Sequence, residues 1–465
     1  MNSVSKMTDK KRTLIFINIL IACIASSMLA TALTTALLPI STDLNISVTT
    51  GQWLTSGYSL AMGIIMPLTA FLITKFPTRK LYLSGIGIFI IGLLISGVAT
   101  SFPFMMIGRI LQACGNGTLM SISQVVILSI YPAEKKGTIM GWYGLAISAA
   151  PVIAPTLAGI LVDSVGWRVI FYIVIAIMAL AFITAVVVFD DVLETYNKKF
   201  DVASFIISIF AFGGVTLGIG NIGSYGFMSS SVLVPLVIGI ITSIYFTYRQ
   251  LHIENPFLEL RIFKSKEYSL SVIGSMLLYL VIMGSSVLMP LYIQSVMGYS
   301  ATISGLVTLP GSLAMTIVSP FAGKVFDKLG IKKLFIAGSV FMFLSNIGMY
   351  FITMNTPIYI PAIYNTVRCI AIGCLMMPLI TWGTSHVKQN LVADATALLT
   401  SLRTISGAIG SSVFVGIMTM VANSSINTYG ANANIHGLNV AFICMSIGTL
   451  IMFSIAVFLV KEEKK

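Results

Sequence analysis

Three arginines lie inside long apolar stretches of the chain, where a charged side chain is costly. Arg109, Arg368 and Arg403 each sit within such a stretch. An arginine at the centre of a bilayer costs at least about 2.5–3.5 kcal/mol unless it faces a cavity or a partner. Gln112 and Asn116 follow Arg109 on the next two turns of one helix face. This row could face a functional cavity, or it could only hydrogen-bond neighbouring helices.

The acidic residues show the opposite distribution. No Asp or Glu lies clearly inside an apolar stretch, and Asp43, Asp163, Asp327 and Asp394 fall at the ends of such stretches. Since an unpaired buried charge is expensive, a cavity meant for lipophilic cations normally offers a carboxylate. Three buried arginines without a buried acid therefore predict a neutral-to-positive interior.

The composition indicates which elements position these residues. The chain has 465 residues, of which 57% are hydrophobic and only 9% charged, whereas soluble domains carry about 25% charged residues. Fourteen apolar stretches are long enough to cross a hydrocarbon core about 30 Å thick, which predicts an all-α polytopic membrane protein. They lie near Thr13–Leu38, Trp53–Ile73, Leu81–Thr100, Phe104–Ser129, Thr138–Leu161, Val169–Phe189, Ala203–Gly220, Val232–Thr247, Tyr268–Tyr292, Ser304–Pro320, Leu334–Thr353, Ile358–Thr381, Ala395–Val421 and Val440–Val460.

The positive charges predict an orientation for these spans. If the N-terminus is cytoplasmic, every second connection should be basic. All of the 27 lysines and arginines then fall on the cytoplasmic side except Arg168 outside and the three arginines within spans. We therefore expect an even number of spans in the plasma membrane with both termini cytoplasmic. The net charge of +12 forms no basic face outside short connections, so nucleic acid is not an expected partner.

A short basic segment occurs twice and divides the chain. Gly323–Lys333 recurs in degraded form at Ala70–Lys80, about 253 residues earlier. The aligned pairs are Pro67 with Pro320, Lys75 with Lys328, and Arg79-Lys80 with Lys332-Lys333. Internal repeats are typical of transporters. We predict a six-helix bundle over residues 1–190, two inserted spans with a cytoplasmic linker over 191–267, and a second six-helix bundle over 268–465.

The sequence here resembles the major facilitator superfamily, in particular its fourteen-span drug:proton antiporter branch. Gly323–Lys333 is similar to the loop signature Gly-x-x-x-Asp-Arg/Lys-x-Gly-Arg/Lys-Arg/Lys. Further similar landmarks are Gln52-Trp53 with Tyr58 and Pro67, Arg109 with Gln112 and Gly115, and Pro290-Leu-Tyr-Ile-Gln294. The resemblance covers nearly the whole chain and looks closest to lincomycin-type and multidrug exporters of Gram-positive bacteria. It implies a major facilitator fold of two six-helix bundles plus two inserted helices.

The resemblance also implies roles for particular residues. In the family, segments like the two basic copies latch the halves together, which would involve Gly323, Asp327, Lys328, Gly330 and Lys332 in one copy and Lys75, Arg79 and Lys80 in the other. Alternatively, their lysines only set the orientation of the spans in the membrane. We expect glycines 323 and 330 to permit tight turns. The fifth span looks like the antiporter motif of exporters through Gly144, Pro151, Pro155 and Gly159, although close packing alone would explain its small residues. Arg109 is the arginine implicated in proton transfer.

The expected function is export of amphiphilic drugs in exchange for protons by alternating access, without a cofactor and with no ATP-binding GxxxxGK[ST] motif. The positive interior predicts neutral, zwitterionic or anionic cargo. Asp394, Asp43 and Asp163 are the candidate proton carriers, and the candidate cavity residues are Gln52, Tyr58, Asn116 and Gln294. Such a transporter can work as a monomer in the lipid bilayer. Two alternatives stay open: a transporter dedicated to one endogenous metabolite, and a membrane sensor that moves nothing.

Overall fold

The protein folds into a bundle of long helices. A computed structural model describes residues 7–131, 133–193, 201–254, 256–388 and 391–461. Fourteen long helices lie within these residues: α1 Asp9–Asp43, α2 Val48–Lys75, α3 Thr78–Gly97, α4 Phe102–Ile130, α5 Ala133–Val165, α6 Arg168–Val188, α7 Val202–Tyr225, α8 Ser230–His252, α9 Lys266–Leu291, α10 Ala301–Leu329, α11 Ile331–Tyr350, α12 Tyr359–Ser385, α13 Val392–Tyr429 and α14 Ala433–Ser454.

Each of these helices overlaps one predicted span, so the all-α, fourteen-span prediction is confirmed. Lipid offers the backbone no hydrogen bonds, and a helix satisfies every N–H and C=O within itself. Eleven stretches of the described residues are long and apolar enough to cross a membrane, and one of them contains both α13 and α14. Several side chains of the two remaining helices, α2 and α5, are outside the description.

Successive helices cross the bundle in opposite directions because the connections between them are short. The start of α1 and the end of α14 therefore lie at one end of the molecule, which we call the termini end. Lys11 forms an ion pair with Asp190 after α6 at this end, and Lys461 lies beside Glu267 and His386. The opposite end, where α1 meets α2 and α9 meets α10, is called the far end.

Three apolar clusters form the core. One lies within α1–α6 and includes Tyr82, Phe89 and Phe171. A second lies mainly within α9–α14 and includes Phe335 and Phe442. These clusters hold in place the helices that carry the candidate residues. The domain borders predicted at residues 190 and 267 stay predictions.

The inserted pair α7 and α8 attaches through the third cluster. Ala211 and Phe246 of this pair pack with Tyr268 of α9 and Leu398 of α13. At the termini end Asp201 caps α7 by accepting from Ser204 N (3.1 Å) and pairs with Arg249 of α8 (2.9 Å). Burial alone would raise the pKa of Asp201, but the hydrogen bonds from Arg249 and Ser204 lower it below its ordinary value.

The prediction of a loop over Gly323–Lys333 is wrong. α10 continues to Leu329 and α11 starts at Ile331, so only Gly330 interrupts the helices. Gly330 has φ 71° and ψ 179°, a region open essentially to glycine alone. Gly323 is helical and makes no turn, and a Cβ added there would meet nothing within 4 Å. The first copy, Ala70–Lys80, is likewise mostly helical with a short break, because α2 runs to Lys75 and α3 begins at Thr78.

These two glycines make a matched pair for a stability measurement. Gly330→Ala should destabilise the protein by about 1–3 kcal/mol because alanine is strained in that backbone region. Gly323→Ala should be neutral or stabilising by up to about 1 kcal/mol, since alanine is the better helix former. Thermal unfolding of the purified variants in one detergent checks both. An equal loss of thermal stability in the two variants would contradict the assignment of the turn to Gly330 alone.

Candidate functional site

Arg109 is completely buried on α4 and is held by three neighbours. Its Nε donates to the Leu54 carbonyl of α2 at 3.0 Å, and its Nη1 donates to Gln112 Oε1 at 2.6 Å. The guanidinium also lies over the Tyr58 ring at 4.0 Å from the centroid. These contacts give most of the charge a partner although no carboxylate is among them.

Gln112 extends this arrangement to α3, and Asn116 adds a further bond to α2. Gln112 Nε2 donates to the Gly92 carbonyl and to Ser96 Oγ of α3, both at 2.9 Å. Asn116 Nδ2 donates to the Tyr58 hydroxyl at 2.6 Å. The row therefore ties α2, α3 and α4 together, as the helix-bonding interpretation expects. Arg109 Nη2 and Asn116 Oδ1 are nevertheless buried without a partner among the described residues.

Arg368 lies in the corresponding fourth helix of the second half, α12, and is 2% exposed. Its Nη2 donates to Asn365 Oδ1 at 2.5 Å, and its guanidinium lies 5.9 Å from the Phe442 ring centroid. Both halves thus place a buried arginine three residues from an amide on the same helix. Arg368 Nη1 has no partner in the described part of the chain.

Arg403 on α13 differs from the other two because the structure gives it no hydrogen bond within the described residues. Its Nε and Nη1 are buried without a partner, while the side chain as a whole is partly exposed. Its one described contact is with the Tyr279 ring of α9, at 4.9 Å from the centroid. Sequence reasoning did not single out Tyr279, and its only signal was an aromatic residue within an apolar span.

Approximate energies separate the three arginines. A buried ion loses several kcal/mol of solvation, while a hydrogen bond to a charged group returns about 1.5–3 kcal/mol and a desolvated cation–π contact about 2 kcal/mol. Arg109, with two hydrogen bonds and a close ring, roughly recovers its loss. Arg368 recovers part of it. Arg403 has only a ring contact, and because its side chain is partly exposed it loses less solvation than the other two.

The acidic residues are confined to helix ends, as predicted. Every Asp or Glu in a described helix lies within the first or last three residues of that helix. Asp43 accepts from Arg168 Nη1 at 2.7 Å within the first half. Asp394 is exposed in the first turn of α13.

Among the described residues, Asp163 is an acid whose carboxylate contacts the opposite half. At the far end of α5 it accepts from Thr302 N at 2.7 Å and Ala301 N at 3.3 Å, and also from the Thr302 hydroxyl. These groups form the first turn of α10. A carboxylate at a helix N-terminus satisfies free N–H groups and complements the helix dipole.

The other described hydrogen bonds between the halves lie in the middle or the far part of the bundle. Gln52 Nε2 donates to Ser411 Oγ (3.0 Å) and Ser412 Oγ (3.2 Å), and Gln294 Nε2 donates to the Thr35 carbonyl (3.0 Å). The remaining two are Thr156 Oγ1 to the Gly305 carbonyl (3.1 Å) and Ser401 Oγ to the Gly63 carbonyl (2.7 Å). The structure thus uses Gln52 and Gln294 as buried bonds between halves, and Tyr58 and Asn116 as buried partners of the Arg109 group.

The small residues of α5 bring that helix very close to α10. A Cβ on Gly159 would lie 2.4 Å from the Ala301 carbonyl oxygen, and one on Gly305 would lie 2.6 Å from the Pro155 carbonyl oxygen. Backbones at this distance leave no room for side chains, so the two halves are in direct contact here. Gly144 and Pro151 lie in the same helix, but their side-chain surroundings are outside the description.

The predicted gating segments bond within their own half. Arg79 N donates to Asp191 Oδ1 at 2.9 Å, and Arg79 Nη2 donates to the Val186 carbonyl. Lys75 lies 5.7 Å from the Phe71 ring. Lys80 and Lys328 are exposed and Lys332 is partly exposed, whereas the side chain of Asp327 lies outside the described residues. None of the hydrogen bonds described for these segments reaches the opposite half.

Comparison with known proteins agrees with this architecture. The family model described as Major Facilitator Superfamily matches residues 15–411. The uncharacterized MFS-type transporter YcnB of Bacillus subtilis is 36% identical over 93% of this chain and 92% of its own. The lincomycin resistance protein LmrB of the same organism is 37% identical over 89% and 87%. A bacterial homolog of the human lysosomal transporter Spinster, solved inward-facing and unoccupied, is similar with a TM-score of 0.72 at 13% identity, covering 97% of both chains.

The Asp163 contact should keep the far end closed. Asp163→Asn removes the charge that caps α10 and should loosen this contact, whereas Asp43→Asn removes a carboxylate at the same end without touching the opposite half. Ser304, which is completely buried on α10, can report opening as Ser304→Cys in a background without the native cysteines. We expect a membrane-impermeant maleimide to label this cysteine severalfold faster with Asp163→Asn. Equal labelling rates for the two aspartate variants would contradict the assignment.

Proposed function

The chain belongs to the Major Facilitator Superfamily, and from that premise we propose that it exports amphiphilic drugs in exchange for protons by alternating access. The observation that carries the proposal is the distribution of bonds between the halves. They join α2 to α13, α5 to α10 and α1 to the short helix Tyr292–Val296 that follows α9, in the middle and far parts of the bundle. A transporter closed at one end has this pattern.

The cargo class rests on a relative and on the interior. LmrB, whose name records lincomycin resistance, is 37% identical to this chain, which supports an antibiotic-sized amphiphile. The interior arginines have no acidic residue near them, because Asp and Glu of the described helices lie only at the helix ends. Since a cation brought among unpaired guanidinium groups would be repelled, neutral, zwitterionic or anionic cargo is favoured over monocations.

The proton step is assigned to a helix end, because the helices hold no acid elsewhere. Of the three candidate carriers, Asp163 is the one with described bonds to the opposite half. Protonation of Asp163 removes the charge that α10 uses at its N-terminus and weakens the closed far end. If the far end faces outward, as the distribution of lysines and arginines predicts, then an external proton favours outward opening and release of cargo.

Two other functions make different predictions. A transporter for one endogenous metabolite shares the fold, since a fold fixes neither cargo nor direction, but it gives no broad resistance profile. A membrane sensor gives no flux at all. No particular contact in the described residues favours either one over drug export.

Efflux from a drug-sensitive host separates these functions. A panel of neutral, anionic and cationic amphiphiles should show lower accumulation of the first two when the protein is expressed, and a protonophore should abolish the difference. Arg109→Ala should abolish or strongly reduce efflux because it leaves Gln112 and Tyr58 without their shared partner. Efflux that persists with protonophore contradicts proton coupling, and efflux greatest for quaternary ammonium compounds contradicts the cargo class.

A further inference from the structure

Arg403 has the least complete set of hydrogen-bond partners among the three arginines of the described interior. Two of its buried guanidinium N–H positions have no acceptor among the described residues, whereas Arg109 has Leu54 and Gln112, and Arg368 has Asn365. Buried polar groups in proteins are nearly always hydrogen-bonded, so an exception calls for an acceptor from outside the chain. The side chain is also partly exposed, which leaves a path to it.

Arg403 lies on the face of α13 that packs against α9. Gly407, one turn later on the same face, lies against the Tyr279 ring of α9, the same ring that faces the Arg403 guanidinium. The neighbouring positions Ser401 and Ile405 lie on the other side of α13, where Ser401 Oγ donates to the Gly63 carbonyl of α2 and Ile405 lies against Gly63. A group bound at Arg403 would therefore touch a helix that also contacts the first half.

The first half contains a comparable arginine–tyrosine pair, in which Tyr58 of α2 lies under the Arg109 guanidinium. Each half contributes one cation and one amphipathic ring.

The three helices supply no internal counter-ion near Arg403. α2 contains no acidic residue. Asp394 of α13 is nine residues from Arg403, about 13 Å along the helix, and Glu267 of α9 is twelve residues from Tyr279, about 18 Å away. Both distances are too great for a hydrogen bond. A negatively charged partner for Arg403 would therefore have to come from outside these three helices.

We propose that Arg403 and Tyr279 form a subsite for a single anionic group, a carboxylate, sulfonate or phosphate, on the transported amphiphile. The inference rests on the proposed transport function. It adds that the cargo carries a negative charge and that Arg403 and Tyr279 recognise it. A planar guanidinium binds such oxyanions through two parallel N–H···O bonds. Tyr279 offers a ring on which the apolar part next to the anionic group can pack.

The test compares one amphiphilic fluorophore that carries a single carboxylate with its methyl ester. Wild-type protein, Arg403→Gln, Arg403→Lys and the control Lys264→Gln, which removes an exposed charge outside the fourteen long helices, are reconstituted in proteoliposomes. Transport of both compounds is measured as a function of concentration. Binding of both is measured separately by fluorescence titration of the purified proteins in detergent.

We expect Arg403→Gln to raise the KM and the Kd for the carboxylate by about tenfold, equivalent to about 1.4 kcal/mol, while the values for the ester stay unchanged. Arg403→Lys should fall between, because the charge remains but the paired geometry is lost. Lys264→Gln should behave as wild type. An equal effect of Arg403→Gln on both compounds, or equal wild-type binding of carboxylate and ester, overturns the subsite. If both compounds bind but neither is transported, the proposed function fails while the titration still decides the subsite.

Discussion

The interior of this protein contains guanidinium groups without carboxylates, and this imbalance governs the arrangement of its polar residues. Each buried arginine must find acceptors that carry no negative charge. Arg109 uses a carbonyl, an amide and a tyrosine ring, drawn from α2 and from its own helix. Since those acceptors themselves bond to α3 and α4, the positive charge also fixes the packing of three helices.

The same imbalance moves acid chemistry to the helix ends. A carboxylate at a helix end can reach water and can also meet the other half, as Asp163 does through the first turn of α10. The neighbouring helices touch there without side chains between them, at Gly159 and Gly305. A charge-dependent cap and a tight backbone contact therefore act on the same pair of helices, so the far end responds to a change of one charge.

Much of this fold could be predicted from the sequence because lipid permits few alternatives. Hydropathy and the spacing of lysines identified every one of the fourteen long helices. The sequence also predicted that the acidic residues lie at helix ends. Gly323 was misjudged as a turn because its position in a glycine-containing basic segment suggested a loop, whereas the helix continues through it to Leu329. The partners of Gln52, Gln294 and Asp163 could not be predicted, because they depend on how helices from different halves are rotated and shifted. Tyr279 was missed for the same reason.

Direct measurement of proton movement tests whether the protein exchanges an amphiphile for protons. Purified protein is reconstituted in liposomes that contain a pH-sensitive dye, and a neutral or anionic substrate is added outside without any imposed gradient. We expect a pH change inside the liposomes that requires both protein and substrate, with protons moving opposite to the substrate. This pH change should be smaller when Asp163 is replaced by Asn. Substrate uptake without any proton movement would contradict this exchange.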